Sequence, residues 1–157
     1  MPHNETMKKV NKKAQELAII GWRETLALPD LGIKSIKAKI DTGARTSALH
    51  AFDCQEIAQN NRKIIRFAVH PIQRDNKQTI LAEAELLEYR KITNSGGKAQ
   101  VRPVILSTVI LGKHQWQVEL TLTNRDVMGF RMLLGRQAVR DRFLVDPRRS
   151  FLQSNRR

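Results

Sequence analysis

A strand that alternates lysine with apolar residues, Ile36-Lys37-Ala38-Lys39-Ile40, runs straight into Asp41-Thr42-Gly43. That junction constrains the chain more than any other local feature. Alternation at period two buries one face of a strand. The glycine two residues past the aspartate lets the backbone take positive φ or approach a neighbour closely. Together they put one carboxylate on a tight turn where a half-buried strand meets a cleft, with a threonine hydroxyl placed to hold a neighbouring loop. Asp-Thr-Gly is also an ordinary turn, so its meaning depends on a second signal elsewhere in the chain.

That signal is Met132-Leu133-Leu134-Gly135-Arg136, leading into Gln137-Ala138-Val139. A run of large apolar residues closes on a glycine and enters a short helical stretch. One Asp-Thr-Gly-Ala with a later Leu-Leu-Gly-Arg resembles a retropepsin. The longer wording of residues 37–51, with Leu122-Thr123-Asn124-Arg125-Asp126, resembles the bacterial retropepsin-like family that carries the label "ATP-dependent zinc protease" (RimB-like). The resemblance covers residues 17–152. It implies an all-β closed barrel of the pepsin-like acid protease fold with one short C-terminal helix. In that fold the strand ending at Gly135 crosses behind the Asp41 loop.

The remaining sequence agrees with many short strands. Residues 115–123 are the cleanest case, with Trp116, Val118, Leu120 and Leu122 in one phase and Gln117, Glu119, Thr121 and Thr123 in the other. Gly112-Lys113 predicts a hairpin turn into it. Further strands are predicted over 18–28, 33–40, 65–69, 82–92, 101–111 and 143–145, and a helical turn over 136–142. Strands with few helices predict a barrel. A single domain over 17–152 is expected, with a basic tail at 1–16 and another at 153–157.

The chain carries 28 Lys and Arg against 15 Asp and Glu, a net +13, which attracts polyanions. Much of that excess lies near the termini, where charge says little about a shaped site. Cys54 is the single cysteine, so no internal disulfide is possible and a reducing, cytoplasmic setting is expected. No apolar run is long enough to span a bilayer.

Aspartic proteolysis needs two carboxylates sharing one proton around a water. With one Asp-Thr-Gly, a single chain cannot supply both, so the resemblance implies a homodimer that brings Asp41 to its symmetry mate. It further implies Asp41 as the catalytic carboxylate and Thr42 as a brace across the two-fold axis. Gly43 would offer its carbonyl to bound peptide, Ala44 would pack beneath it, and Leu134 and Gly135 would support the loop from behind. A flap is expected over the cleft: Ser95-Gly96-Gly97 by composition, or the stretch 73–78 by chain order.

One departure from the retropepsin pattern is chemically sharp. The second residue after the motif glycine, commonly acidic in retropepsins, is Arg45, while Arg136 is retained. Either Asp126, Glu119 or Asp141 neutralises these guanidiniums, or Arg45, with Arg136, receives a carboxylate of an acidic substrate. The second option fits a functional link to ATP-grasp glutamate ligases, which the resemblance implies.

The zinc and ATP of the family label find no support in the residues. There is no His-Glu-x-x-His, His50 and Cys54 share a face only in a helix, and neither Gly97-Lys98 nor Gly112-Lys113 has the pattern of a phosphate loop. No metal or cofactor is expected. Nucleic-acid binding has charge in its favour but no stacking motif. The alternative to a peptidase is a non-catalytic basic module of the same fold that holds an acidic protein tail or RNA.

Overall fold

A computed structural model of the chain describes residues 17–94, 96–125 and 129–156. The strands are β1 (Ala18–Gly21), β2 (Arg23–Leu28), β3 (Ile33–Asp41), β4 (Ser47–His50), β5 (Phe52–Gln59), β6 (Arg62–Val69), β7 (Ile80–Glu85), β8 (Glu88–Thr93), β9 (Ala99–Leu111), β10 (His114–Thr123), β11 (Met132–Gly135) and β12 (Phe143–Asp146). One short helix, α1 (Arg136–Val139), follows β11. Six strands close into a barrel in the order β10-β4-β11-β3-β2-β9, with β9 pairing back to β10. Strand β8 extends β9, β5-β6-β7 form a separate sheet, and β1 pairs with β12 in parallel. The closed all-β barrel with one short helix is the architecture the sequence predicts.

Alternation explains most of the core. Trp116, Val118, Leu120 and Leu122 of β10 are buried, as are Ile33, Ile36, Ala38 and Ile40 of β3. A fully buried large apolar side chain contributes about 1.5–3 kcal/mol, enough to offset the roughly 1–2 kcal/mol of backbone entropy lost per ordered residue. The hairpin at Gly112 joins Leu111 to His114 as predicted, with Gly112 at φ 58°.

The differences have physical causes. The stretch 18–28 is two strands, not one. The chain breaks step at Trp22, whose N–H donates to Arg149 O and whose carbonyl accepts from Ile40 N. The stretch 82–92 divides at Leu86 and Leu87, whose N–H groups donate to Lys63 O and Val104 O, so adjacent residues belong to different sheets. The helical stretch is only α1, because Arg140 leaves the helical backbone at ψ 147° and Asp141 follows with a left-handed φ of 68°. Along β9, Val104, Ile105, Val109 and Leu111 are buried while Val101 and Leu106 are exposed, so burial is one-sided in places.

Glu24 occupies an inward position of β2 and is wholly buried. Its carboxylate accepts hydrogen bonds from Gly21 N at 2.6 Å, Leu152 N at 2.9 Å, Gln153 N at 3.1 Å and Ser154 Oγ at 2.7 Å. Gln153 and Ser154, assigned from sequence to a tail, are thereby held on the barrel. Charge-assisted bonds of this kind make a buried carboxylate tolerable. No helix among the described residues is long and apolar enough to cross a membrane.

Candidate active site

Asp41 ends β3, and β11 runs parallel beside it with Leu134 opposite Ile40 and Gly135 opposite Asp41. On its other side β11 pairs antiparallel with β4. The apolar-apolar-Gly strand therefore lies between the two strands that flank the Asp41 turn. Gly135 is here for space: a Cβ would stand 2.4 Å from Thr46 O. Its N–H donates to the buried Ser47 hydroxyl at 2.9 Å. Arg136 N and Gln137 N then donate to Ala44 O (2.7 Å) and Arg45 O (3.1 Å), tying the start of α1 to the turn.

Within the turn, Asp41 Oδ1 accepts from Gly43 N at 3.0 Å and Ala44 N at 3.2 Å. Two backbone donors fix the carboxylate's orientation. Asp41 Oδ2 has no hydrogen-bond partner among the described residues. Thr42 and Gly43 are exposed at the tip of the turn.

Asp41 lines a cavity of about 940 Å³. Gly43, Ala44 and Arg45 line it too, so four of the predicted site residues share one space, while Thr42, Leu134, Gly135, Arg136, Gly96 and Gly97 do not line it. Leu134 and Gly135 lie buried behind the turn. Arg136 is exposed and donates from Nη1 to Thr42 O at 3.2 Å, so it braces the turn from outside the cavity.

Arg45 is also exposed, and no carboxylate pairs with it among the described residues. Glu119, one of the neutralising partners considered from sequence, is engaged by Arg90 at 3.1 Å. Asp141 forms no ion pair with either arginine among the described residues, and Asp126 lies outside them.

The hairpin of β8 and β9 contributes residues 91–94 to the same cavity. Its tip holds Gly96 and Gly97, the latter at φ 83°, and is closed by Asn94 Oδ1 accepting from Lys98 N at 3.0 Å. Ser95 lies outside the described residues. The rival stretch borders a different cavity through Gln73 and Gln78. The buried Arg131 grips it by donating to Ile72 O and Asn76 Oδ1.

Arg90, Lys91, Arg102 and Arg125 also line the Asp41 cavity; sequence patterns did not single out the first three, and placed Arg125 in a family stretch without a role. Their signal is faint: Arg90 and Arg102 share a face only once β8 and β9 are known to pair. Among the described residues no group of three or more His, Cys, Asp and Glu side chains is placed to hold a metal ion. The described residues thus offer no donor set that fits the zinc of the label. Cys54 is exposed on β5, away from the cavity lining.

Residues 19–156 match the family described as RimB-like, retropepsin-like aspartic endopeptidase RimB. A protein of Shewanella halifaxensis (strain HAW-EB4) named "Probable alpha-L-glutamate ligase" is 47% identical over 133 residues, 85% of this chain and 29% of that one. A protein of the same name from Parasynechococcus marenigrum (strain WH8102) is 47% identical over 129 residues, 82% of this chain and 28% of that one. The chain therefore spans less than a third of these curated relatives. A crystallised Legionella pneumophila protein of unknown function superposes with a TM-score of 0.72 at 31% identity, covering 87% of this chain and 98% of that one. Barrel, Asp41 turn, Gly135 strand and a match over nearly the whole chain agree, and the chain belongs to the RimB-like family of retropepsin-like aspartic endopeptidases.

Proposed function

We propose that the protein is an aspartic endopeptidase whose catalytic pair forms when two copies meet at Asp41, and that its substrate is an acidic, Glu-rich peptide or protein tail. The observation that carries the reading is the state of the cavity's carboxylates. Asp41 is held by two backbone N–H groups with one oxygen left over, and the other lining carboxylate, Glu119, is ion-paired to Arg90. Among the described residues no second free carboxylate lines the cavity, and in the proposed enzyme it comes from another chain.

In the dimer one carboxylate takes a proton from the shared water while the other, protonated, donates to the scissile carbonyl oxygen. Water attacks the carbonyl carbon, and the tetrahedral intermediate collapses as the leaving amine gains a proton. The exposed Thr42 braces the paired turns, and the hairpin carrying Gly96 and Gly97 serves as the flap.

The substrate class follows from charge. Five cationic side chains (Arg45, Arg90, Lys91, Arg102 and Arg125) line the cavity against two carboxylates. The relatives' name adds a chemical hint, since a glutamate ligase extends its target with the residues such a cavity attracts. A functional link to an ATP-grasp ligase follows. Replacing Arg45 with glutamate is expected to remove the preference for Glu-rich over neutral peptides, measured as a ratio of kcat/KM values. An unchanged ratio excludes a part for Arg45.

The cation surplus also favours a second reading, a non-catalytic module that holds an acidic tail or RNA. Such a module hydrolyses nothing, needs no dimer, and loses affinity steeply with salt. Incubating the purified chain with Glu-rich peptides and following cleavage by mass spectrometry, alongside its sedimentation behaviour, separates the two.

A further inference from the structure

Across the β8–β9 hairpin, Arg90 and Arg102 stand directly opposite each other. Like charges so placed repel unless something neutralises them. Arg90 is neutralised by ion pairs to Glu88 and Glu119. Arg102 is not. It is partly buried, its Nε donates to the neutral Gln100 Oε1 at 2.9 Å, and no carboxylate pairs with it among the described residues.

The same Gln100 oxygen accepts from Thr123 Oγ1 at 3.3 Å, and Thr123 Oγ1 accepts from Arg125 N at 3.3 Å. This chain of bonds ties two cationic residues to one part of the cavity that Asp41 lines. Burial first, and the Arg125 charge second, push the Arg102 guanidinium down from its ordinary range. Among the described residues neither arginine has a carboxylate partner.

We infer that Arg102 and Arg125 form the subsite that receives a side-chain carboxylate of an acidic peptide bound at the Asp41 cavity. The inference rests on the acidic-substrate reading above and assigns residues to it. With Nε engaged on Gln100, the Nη groups of Arg102 remain for a bidentate contact with a carboxylate. A phosphate would suit the same donors. A peptide is favoured over nucleic acid because no aromatic side chain lines the cavity to stack a base.

The test uses the full chain carrying Asp41→Asn, so that peptide is bound without being cut. Affinities for fluorescein-labelled tetraglutamate and tetraglutamine peptides are measured by anisotropy, and their ratio is the readout. Tetraglutamate is expected to bind more tightly. Arg102→Gln and Arg125→Gln are each expected to reduce the ratio about 10-fold, the scale of a lost charged hydrogen bond. Arg62→Gln removes the same charge from the exposed start of β6 and should change the ratio less than about 2-fold, as a surface charge outside the cavity. Arg102→Lys keeps the charge without the planar fork and should retain part of the preference.

A ratio near one in the parent, or unchanged in both glutamine variants, overturns the assignment. So does an equal fall in Arg62→Gln, which marks diffuse attraction. If both variants lose binding of a labelled oligouridine while the peptide ratio holds, the pair is a phosphate subsite and the assignment fails. Should Arg102→Gln not fold, the exposed Arg125→Gln carries the same test. A chain without peptidase activity that still shows the Arg102-dependent ratio refutes the catalytic proposal and leaves the subsite standing.

Discussion

Asp41→Asn is expected to lower peptide hydrolysis roughly 10³-fold or more, the scale of losing a carboxylate that moves protons in the transition state. The variant should fold normally, because an asparagine carbonyl can still accept from Gly43 N and Ala44 N. A loss of activity alone does not establish a shared centre, so the same variant is mixed with the wild type. Each centre needs Asp41 from both chains, and a chain paired with the variant is inactive. At equal amounts, random exchange should leave about half the activity of the same quantity of wild type alone, as two-fold pairing requires. A self-sufficient monomer would keep all of it. The pH profile adds a further check: a dyad is active with one proton and inactive with two or none, so the rate should fall on both sides of an optimum. Wild-type activity that ignores added variant would sink the shared-site proposal.

Much of this site was legible because its parts are short and chemically loud. Asp41-Thr42-Gly43 after an alternating strand and Leu133-Leu134-Gly135 before a helical turn are local patterns, and the structure brings them into register at Gly135 and Asp41. Strand β10 was equally plain, since every inward residue before Thr121 is apolar or aromatic. What stayed hidden depends on partners distant in sequence. Strand β5 shows almost no burial alternation and is held chiefly by pairing with β6, so period-two reasoning finds nothing in it. Strand β4 is four residues packed between β10 and β11, too short to carry a period. Glu24 sits in an apolar phase and reads as an error until residues 152–154 arrive from the far end of the chain. Arg102 and Arg125 are ordinary surface-type residues in sequence, and only the pairing of β8 with β9 and the end of β10 puts them beside Asp41.

Gly135→Ala is expected to be severely damaging while leaving every charged and polar side chain in place. Gly135 has φ −89° and ψ 175°, a backbone any residue adopts, so the penalty is steric alone. The added carbon would meet Thr46 O at 2.4 Å and Thr46 C at 2.6 Å, both backbone atoms. Relief requires the turn to move outward. That motion pulls Ala44 O and Arg45 O away from the N–H groups of Arg136 and Gln137, and with them the backbone that orients Asp41. An overpacked site coupled to lost hydrogen bonds should cost about 3–5 kcal/mol. For a chain of this size the melting temperature should fall by about 10 °C or more. Ser47→Ala separates the two contributions: it removes the acceptor of Gly135 N without a clash, and should cost only about 1–3 kcal/mol. Both substitutions should reduce activity at temperatures where the protein remains folded, Gly135→Ala more, because the turn that holds Asp41 is displaced rather than merely loosened. A Gly135→Ala protein with wild-type melting temperature and turnover would mean that the strand behind the turn does not set the position of the carboxylate.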